Sequence, residues 1–467
     1  MGKETEIKLR ASADVLNALR EHPLLKSRLV DDWQISTLYN QYYDTPERDL
    51  AGAKVALRLR RDGDAIIQTL KSRGQSVAGL SERNEWDWNL QEQALDFSLL
   101  DDSCWPAALA ELDKSTLQPV FTTDFQRTRV LLRWERDGEQ VEVEAALDQG
   151  EVSAGEQVEP ISELELEIRT GSPVALLELA LELCRDQVLM PCDISKAERG
   201  YRLFDPSSYA LRLDAPQWQA STSVDDVIEG LITQLLGRVQ RLAEQYRYAR
   251  QWKLFRELTG NLTALRACFG VFDLALPRSS AQSFIVPLDQ LLAVFQPLVL
   301  EGWADDTAGE IARKQASEAF DQQLSDAAWG QLFVELALWL LAKRWQTKRP
   351  PRGDRIAALT LQRWLLGTVG KEIQELRVPH HNDTDHQVHE WMDQLPRLGR
   401  LHLLLGNFRS FLEVSEPDRL FGELNKLQAL LEQYPQIEEE QRELLLAALR
   451  KQGQRVRKLN AWRELNQ

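Results

Sequence analysis

A period-two alternation of apolar and fully charged residues runs through the first two hundred positions and limits what they can fold into. Successive side chains of a strand point to opposite faces. In E-T-E-I-K-L-R, Glu4, Glu6, Lys8 and Arg10 therefore share one face, and Thr5, Ile7 and Leu9 share the other. In S-E-L-E-L-E-I-R, Glu163, Glu165, Glu167 and Arg169 oppose Leu164, Leu166 and Ile168. Glu142, Glu144 and Asp148 stand opposite Val141 and Val143, and Arg58 and Arg60 project together from V-A-L-R-L-R-R. Arg83, Glu85 and Asp87 oppose Trp86 and Trp88, and Arg127, Arg129 and Arg133 oppose Val130 and Leu132. A solvated face would satisfy any one of these strands. Taken together they differ from solvated faces, because the polar positions carry almost only full charges and the signs are sorted by strand.

One arrangement satisfies all the strands at once. The sheet closes into a barrel, its charged face turns inward and its apolar face packs on helices. Buried charge is costly unless it is paired or bound to metal, and a polyanion with divalent cations supplies the missing partners. Carboxylates suit hard Mg²⁺ or Mn²⁺, and arginine forks and lysine ammonium groups suit phosphate oxygens. Strands are expected near 3–10, 37–45, 53–61, 64–71, 82–90, 123–134, 140–148 and 161–169, with a short one after Gly150. Ser12 is positioned to cap a helix through Arg20, and Ser172-Pro173 to open another.

The alternation ends at about residue 205. Residues 206–222 contain two prolines and no period, which reads as a linker. From Val224 the apolar residues recur at helical spacing, with breaks at Pro277, Pro350-Pro351, Pro379 and Pro435. The expected fold is thus an α+β domain over 1–205, containing a closed antiparallel eight-stranded β-tunnel with flanking helices. An all-α helical-bundle domain follows over 223–467. Residues 1–205 hold 24 Lys and Arg against 39 Asp and Glu, so nearly all of the chain's net charge of −16 lies there. Neither half offers the basic field that nucleic acid attracts, and no nucleic-acid partner is expected. Without an unbroken apolar run of about 18 residues, no membrane span is expected. Four scattered cysteines and the absence of a leader-like start point to the cytoplasm.

Two clusters lie outside the alternation. His380, His381, Asp383, Asp385, His386 and His389 could ligate a metal, or form a polar loop that caps the next helix. Residues 343–355 carry Lys343, Arg344, Lys348, Arg349, Arg352 and Arg355, either an anion patch or a helix end complementing the macrodipole.

The segment E-T-E-I-K resembles the ExExK signature of the CYTH superfamily, the triphosphate tunnel metalloenzymes. Y-Y-D-T-P-E-R-D-L at 42–50, A-L-R-L-R at 56–60, T-L-K at 69–71, the arginine strand from Phe125, A-L-D-Q-G-E-V at 146–152, E-L-E-L-E at 163–167 and S-K-A-E-R-G-Y at 195–201 follow in the family's order. The helical remainder is similar in position and length to a CHAD domain, and the two-part layout resembles bacterial inorganic triphosphatases. The resemblance implies hydrolysis of inorganic triphosphate to phosphate and diphosphate with one or two Mg²⁺ or Mn²⁺ ions. Glu4, Glu6, Glu144, Asp148, Glu165 and Glu167 would hold metal, with a second ion on Glu4 and Glu165. Lys8, Arg58, Arg60, Lys71, Arg83, Arg127, Lys196 and Arg199 would hold phosphates, with Glu4, Glu6 and Lys8 acting in catalysis. A CHAD domain implies polyphosphate binding, and of that family's pattern of a His followed by Arg and Lys on two helices this chain keeps Arg256 and Arg266 without the His, and His389, Arg397 and Arg400 at altered spacing. Class IV adenylate cyclase and thiamine or nucleoside triphosphatase activities would need the same tunnel, and a noncatalytic polyphosphate-binding protein would need only the basic set.

Overall fold

The computed structural model describes the chain except residues 1, 73, 78–79, 207–215, 348, 385–386, 438 and 467. Most of the expected linker therefore lies outside the described residues, as do Lys348 of the basic segment and Asp385 and His386 of the histidine cluster.

Ten strands form one sheet: β1 (Gly2–Arg10), β2 (Gln34–Asp44), β3 (Val55–Asp62), β4 (Ala65–Ser72), β5 (Gln75–Val77), β6 (Leu80–Leu90), β7 (Gln118–Arg136), β8 (Glu139–Ala154), β9 (Gln157–Thr170) and β10 (Met190–Pro191). Their order is β10-β1-β9-β8-β7-β2-β3-β4-β6-β5, and β1 also pairs with β6. That last pairing closes eight antiparallel strands into a barrel, with β5 and β10 outside the ring. Closure leaves no open edge in the ring. The short strand expected after Gly150 is the continuation of β8, which runs unbroken to Ala154. Gly150 permits this, because a Cβ there would lie 2.2 Å from the Asp124 carbonyl oxygen and 2.4 Å from Phe125 Cα.

Leu57, Val143, Ala145, Leu164 and Leu166 on the outer face are fully buried beneath helices and loops. Ser12 accepts from Val15 N and caps the helix Ala13–Arg20 as its sequence position requires. The helix Val174–Leu183 buries Leu176, Leu177, Leu179 and Leu183.

Two compact units account for the chain: 1–212 with 322–342, and 213–321 with 343–467. The helix Ala327–Leu341 thus belongs with the barrel although it lies within the helical half of the sequence. A Cβ on its Gly330 would sit 2.2 Å from the Leu189 carbonyl oxygen and 3.1 Å from Cys184 Sγ. This helix is apolar on nearly every face and buries ten of its fifteen residues.

The second unit is helical, with its longest helices at Val224–Ala249, Trp252–Val271, Arg278–Glu301 and Glu439–Lys458. By length and composition Arg278–Glu301 could cross a membrane, although Pro287, Asp289 and Pro297 interrupt its apolar run. Within the unit it buries Phe284 against Phe269 and Phe295 against Phe255.

Candidate active site inside the barrel

Strand register places the charged faces in one ring. Lys8 lies beside Glu165 and Glu6 beside Glu167 across β1–β9, and Glu144 lies beside Glu167 across β8–β9. Asp148 is opposite Arg127, Asn40 is opposite both Thr123 and Arg60, and Tyr42 is opposite Arg58. Lys71 faces Glu85, and Arg83 faces Glu4, which completes the circuit. Every barrel-strand residue nominated from the sequence falls on this inner surface. Half of them, Glu4, Glu6, Lys8, Arg58, Asp148 and Glu165, are at most 9 % exposed, and the rest are partly buried.

The helix Lys196–Phe204 brings Lys196 and Arg199 against the acids of this ring. It opens with a capping box, in which Ser195 Oγ accepts from Glu198 N and Glu198 Oε2 accepts from Ser195 N. Lys196 Nζ donates to Asp148 (2.7 Å), Glu163 (2.5 Å) and Glu165 (2.9 Å). Arg199 pairs with Glu163, and Arg127 forks onto Asp148 at 2.8 and 2.7 Å while reaching Glu165 at 2.5 Å. Further along the same helix, Arg202 shares the buried Glu159 with Arg10. Gly200 lets the helix seat closely, because a Cβ there would be 2.1 Å from the Phe121 ring. Burial pushes the Glu163 carboxyl up, but Arg199 and Lys196 outweigh it and hold it at about 2. Glu165 is likewise buried, yet Lys196, Lys8 and Arg127 keep it well below the usual carboxylate range. Lys196, Arg199 and Arg127 bond these three carboxylates, and Lys8 lies 3.7 Å from Glu165.

Asp148, Glu163 and Glu165 offer three oxygens within 4.8 Å of one another, a spacing a metal ion could use. The Lys196 ammonium already bonds all three, so this trio does not fit a metal ion while Lys196 stays in place. The row Glu6–Glu167–Glu144 fits better. Glu6 pairs with Lys8 and, at 3.3 Å, with Arg83, whereas Glu167 and Glu144 share Arg169 at 2.7 and 3.1 Å. Arg169 is 43 % exposed and Glu144 19 %, so the row leads toward solvent. Burial, with Glu4, Glu6 and Glu144 nearby, raises the Glu167 carboxyl to about 7 against the pull of Arg169. Clustered hard oxygen donors are what Mg²⁺ and Mn²⁺ select. Glu4 is more committed, because both its oxygens accept from Lys71 Nζ at 2.8 Å.

On the opposite wall the cations predominate. Arg58 lies 3.6 Å from Glu85 and donates to the Tyr42 hydroxyl, and Lys71 reaches Glu85 at 3.0 Å. Arg60 has no carboxylate within 4.0 Å among the described residues, and burial beside Arg58 and Arg127 pushes its pKa down to about 9.

The Y-Y-D-T segment serves structure. Asp44 accepts from the backbone N–H groups of Thr45, Leu50 and Ala51, and from the Tyr201 hydroxyl at 2.7 Å. It thereby pins the helix Lys196–Phe204 to the end of β2. Glu163, Asn40 and the Arg10–Glu159–Arg202 cluster were not nominated from sequence. Glu163 shares the alternation of Glu165 and Glu167, so its placement on the inner face was available, but its partners were not.

In the helical unit the nominated cations have internal partners. Arg397 and Arg400 both bond Glu372, Arg266 forks onto Asp289, and Arg256 stacks 3.6 Å over Trp303. Within the basic segment, Arg349 pairs with Asp225 at 2.5 Å and Lys343 with Glu229 at 2.8 Å.

Residues 2–201 match the CYTH domain. An inorganic triphosphatase of Haemophilus influenzae is 35 % identical over 203 residues, covering 44 % of this chain and 55 % of that one, so the match spans about half the relative's length. Among solved structures, a Hippeastrum protein described as a candidate adenylyl cyclase with a dominant triphosphatase activity is 20 % identical. It covers 44 % of this chain and 97 % of its own, at a TM-score of 0.31. The PH1819 protein of Pyrococcus horikoshii is also 20 % identical, covering 39 % and 89 %, at a TM-score of 0.25.

Proposed function

We propose that this chain, whose residues 2–201 are a CYTH domain, hydrolyses inorganic triphosphate to phosphate and diphosphate inside the barrel, using Mg²⁺ or Mn²⁺. The observation that carries the reading is the division of the inner wall. An acid row of Glu6, Glu144 and Glu167, in which Glu144 and Glu167 lie side by side on a single shared arginine, stands in one closed ring with an arginine wall containing Arg60, which has no carboxylate within 4.0 Å among the described residues. A metal–polyanion complex matches both halves, whereas a bare polyanion matches only the second. The similarity to an inorganic triphosphatase supports the choice of substrate.

Arg58, Arg60, Lys71 and Arg83 would grip phosphoryl oxygens, and Lys8 would steady the scissile group from the floor of the acid row. Glu6, Glu144 and Glu167 would hold the divalent ion, with Glu4 as a further ligand once Lys71 turns to phosphate. The ion would supply charge neutralisation and acidify the attacking water. Glu167 would give up its proton on metal binding, since a ligand must be deprotonated. Phosphoryl transfer depends mainly on positioning and charge stabilisation, which a rigid charged barrel provides. Lys196 and Arg199, engaged with Glu163, would act chiefly by holding the acids in place.

One assay tests this. Triphosphate, ATP, thiamine triphosphate and long-chain polyphosphate are each offered with Mg²⁺ or Mn²⁺, and phosphate, diphosphate and cyclic AMP are measured. Preferential phosphate and diphosphate release from inorganic triphosphate is expected. Cyclic AMP, or preference for an organic triphosphate, would refute the substrate. No turnover of any substrate would refute hydrolysis and leave binding alone.

A further inference from the structure

Asn40 is wholly buried on the inner face of β2, laterally between Arg60 on β3 and Thr123 on β7. Its Oδ1 accepts from Arg60 Nε at 2.8 Å, and its Nδ2 donates to Thr123 Oγ1 at 2.9 Å. Turning the amide over would put a donor against Nε–H, so the two bonds fix its orientation together. Fixing Nε also fixes the plane of the guanidinium, and leaves the two terminal nitrogens as a fork. Arg58, Arg83 and Arg127 each have a carboxylate within 4.0 Å, but among the described residues Arg60 has none. The side chain that holds Arg60 is therefore neutral. An aspartate at this position would offer the same oxygen and cancel the charge.

We propose that Asn40 is a positioning residue that aims the Arg60 fork into the barrel, where it binds phosphoryl oxygens of a triphosphate. The inference rests on the triphosphate reading above and adds how that substrate is gripped: Asn40 orients the cation without neutralising it. Thr123 is the anchor that keeps the amide in register.

The test is calorimetric titration of the full chain with inorganic triphosphate in metal-free buffer, beside phosphate release with Mg²⁺. The variants are Asn40→Ala, Asn40→Asp, Arg60→Ala and the double variant Asn40→Ala/Arg60→Ala. Asn40→Ala is expected to weaken triphosphate binding about tenfold, the scale of one misdirected charge-assisted hydrogen bond. Asn40→Asp weakens it at least as much, despite keeping the acceptor. The double variant binds no worse than Arg60→Ala, because Asn40 acts only through Arg60. The inference is overturned if Asn40→Ala weakens the Arg60→Ala protein by the same factor as it weakens wild type, which is the mark of a merely structural role. Wild-type affinity in Asn40→Ala would also overturn it. Should Asn40→Ala fail to fold, Asn40→Asp decides, and unchanged or tighter binding there overturns the inference. Wild-type protein that binds triphosphate but releases no phosphate would refute the hydrolase reading and leave the positioning role standing. Wild-type protein that neither binds triphosphate nor releases phosphate with Mg²⁺ would refute both.

Discussion

Replacing Lys196 with methionine keeps a long apolar stem and removes one charge from the most tightly balanced cluster in the barrel. Asp148, Glu163 and Glu165 face Lys196, Arg199 and Arg127, with Lys8 3.7 Å from Glu165 but paired to Glu6, so the variant removes the one cation that bonds all three acids. All three acids are at most 9 % exposed, and solvent cannot take up the difference. Stranding one member of a buried ionic cluster costs about 3 to 5 kcal/mol. Local opening of β8 and β9 should become roughly 140- to 3700-fold easier at pH 7, at about 1.4 kcal/mol per tenfold. Hydrogen exchange of peptides within 139–170 reads this directly. The pH dependence carries the physical argument. In wild type, Glu163 and Glu165 titrate below their unfolded values, so their stabilisation is present above about 4.5 and lost as pH falls toward 2. In the variant one acid is uncompensated and its folded pKa rises, so acidification relieves the strain and the gap to wild type narrows. A gap under about 1 kcal/mol at pH 7 would place Lys196 outside the balance. A gap independent of pH would show that packing, not charge, was lost. If Lys196 instead grips substrate, as the family resemblance implies, the variant raises KM with little change in exchange.

Other outcomes follow from the same geometry. Gly200→Ala drives a methyl into the Phe121 ring and should lower barrel stability by about 1 to 3 kcal/mol in urea unfolding, with Phe121→Leu restoring part of it. Glu4→Ala and Glu6→Ala should each abolish metal-dependent phosphate release with unchanged circular dichroism, and near wild-type release in either would remove that residue from the site. Glu167, raised to about 7, destabilises the metal-free protein as pH climbs from about 4.5 through 7, so Glu167→Gln should flatten stability over that window in thermal scans. The same variant should weaken Mn²⁺ binding measured by electron paramagnetic resonance, and unchanged affinity would exclude Glu167 as a ligand.

Strand alternation is a local rule with a fixed period, which is why the inner face could be read from the chain. Glu4, Glu6 and Lys8 had to share a face whatever else happened, and closure into a ring followed from the cost of so much unpaired charge. The cap at Ser12 and the linker signal after residue 205 are equally local. Partner choice is not local. Lys196 reaches Asp148 and Glu163 from 48 and 33 residues away, and it arrives there because the helix Lys196–Phe204 is seated by Gly200 on Phe121 and by Tyr201 on Asp44. That placement sets Lys196 and Arg199 against Asp148, Glu163 and Glu165, and leaves Glu6, Glu144 and Glu167 in a row that leads toward solvent. The Asp44 motif and the helix Ala327–Leu341 show the same limit, since burial against elements distant in sequence gave them their places. Period and charge settled which side chains face inward. Tertiary contact, where Coulomb energy depends on a few ångströms in a dry interior, decided which of those charges are spent on one another and which remain for a ligand.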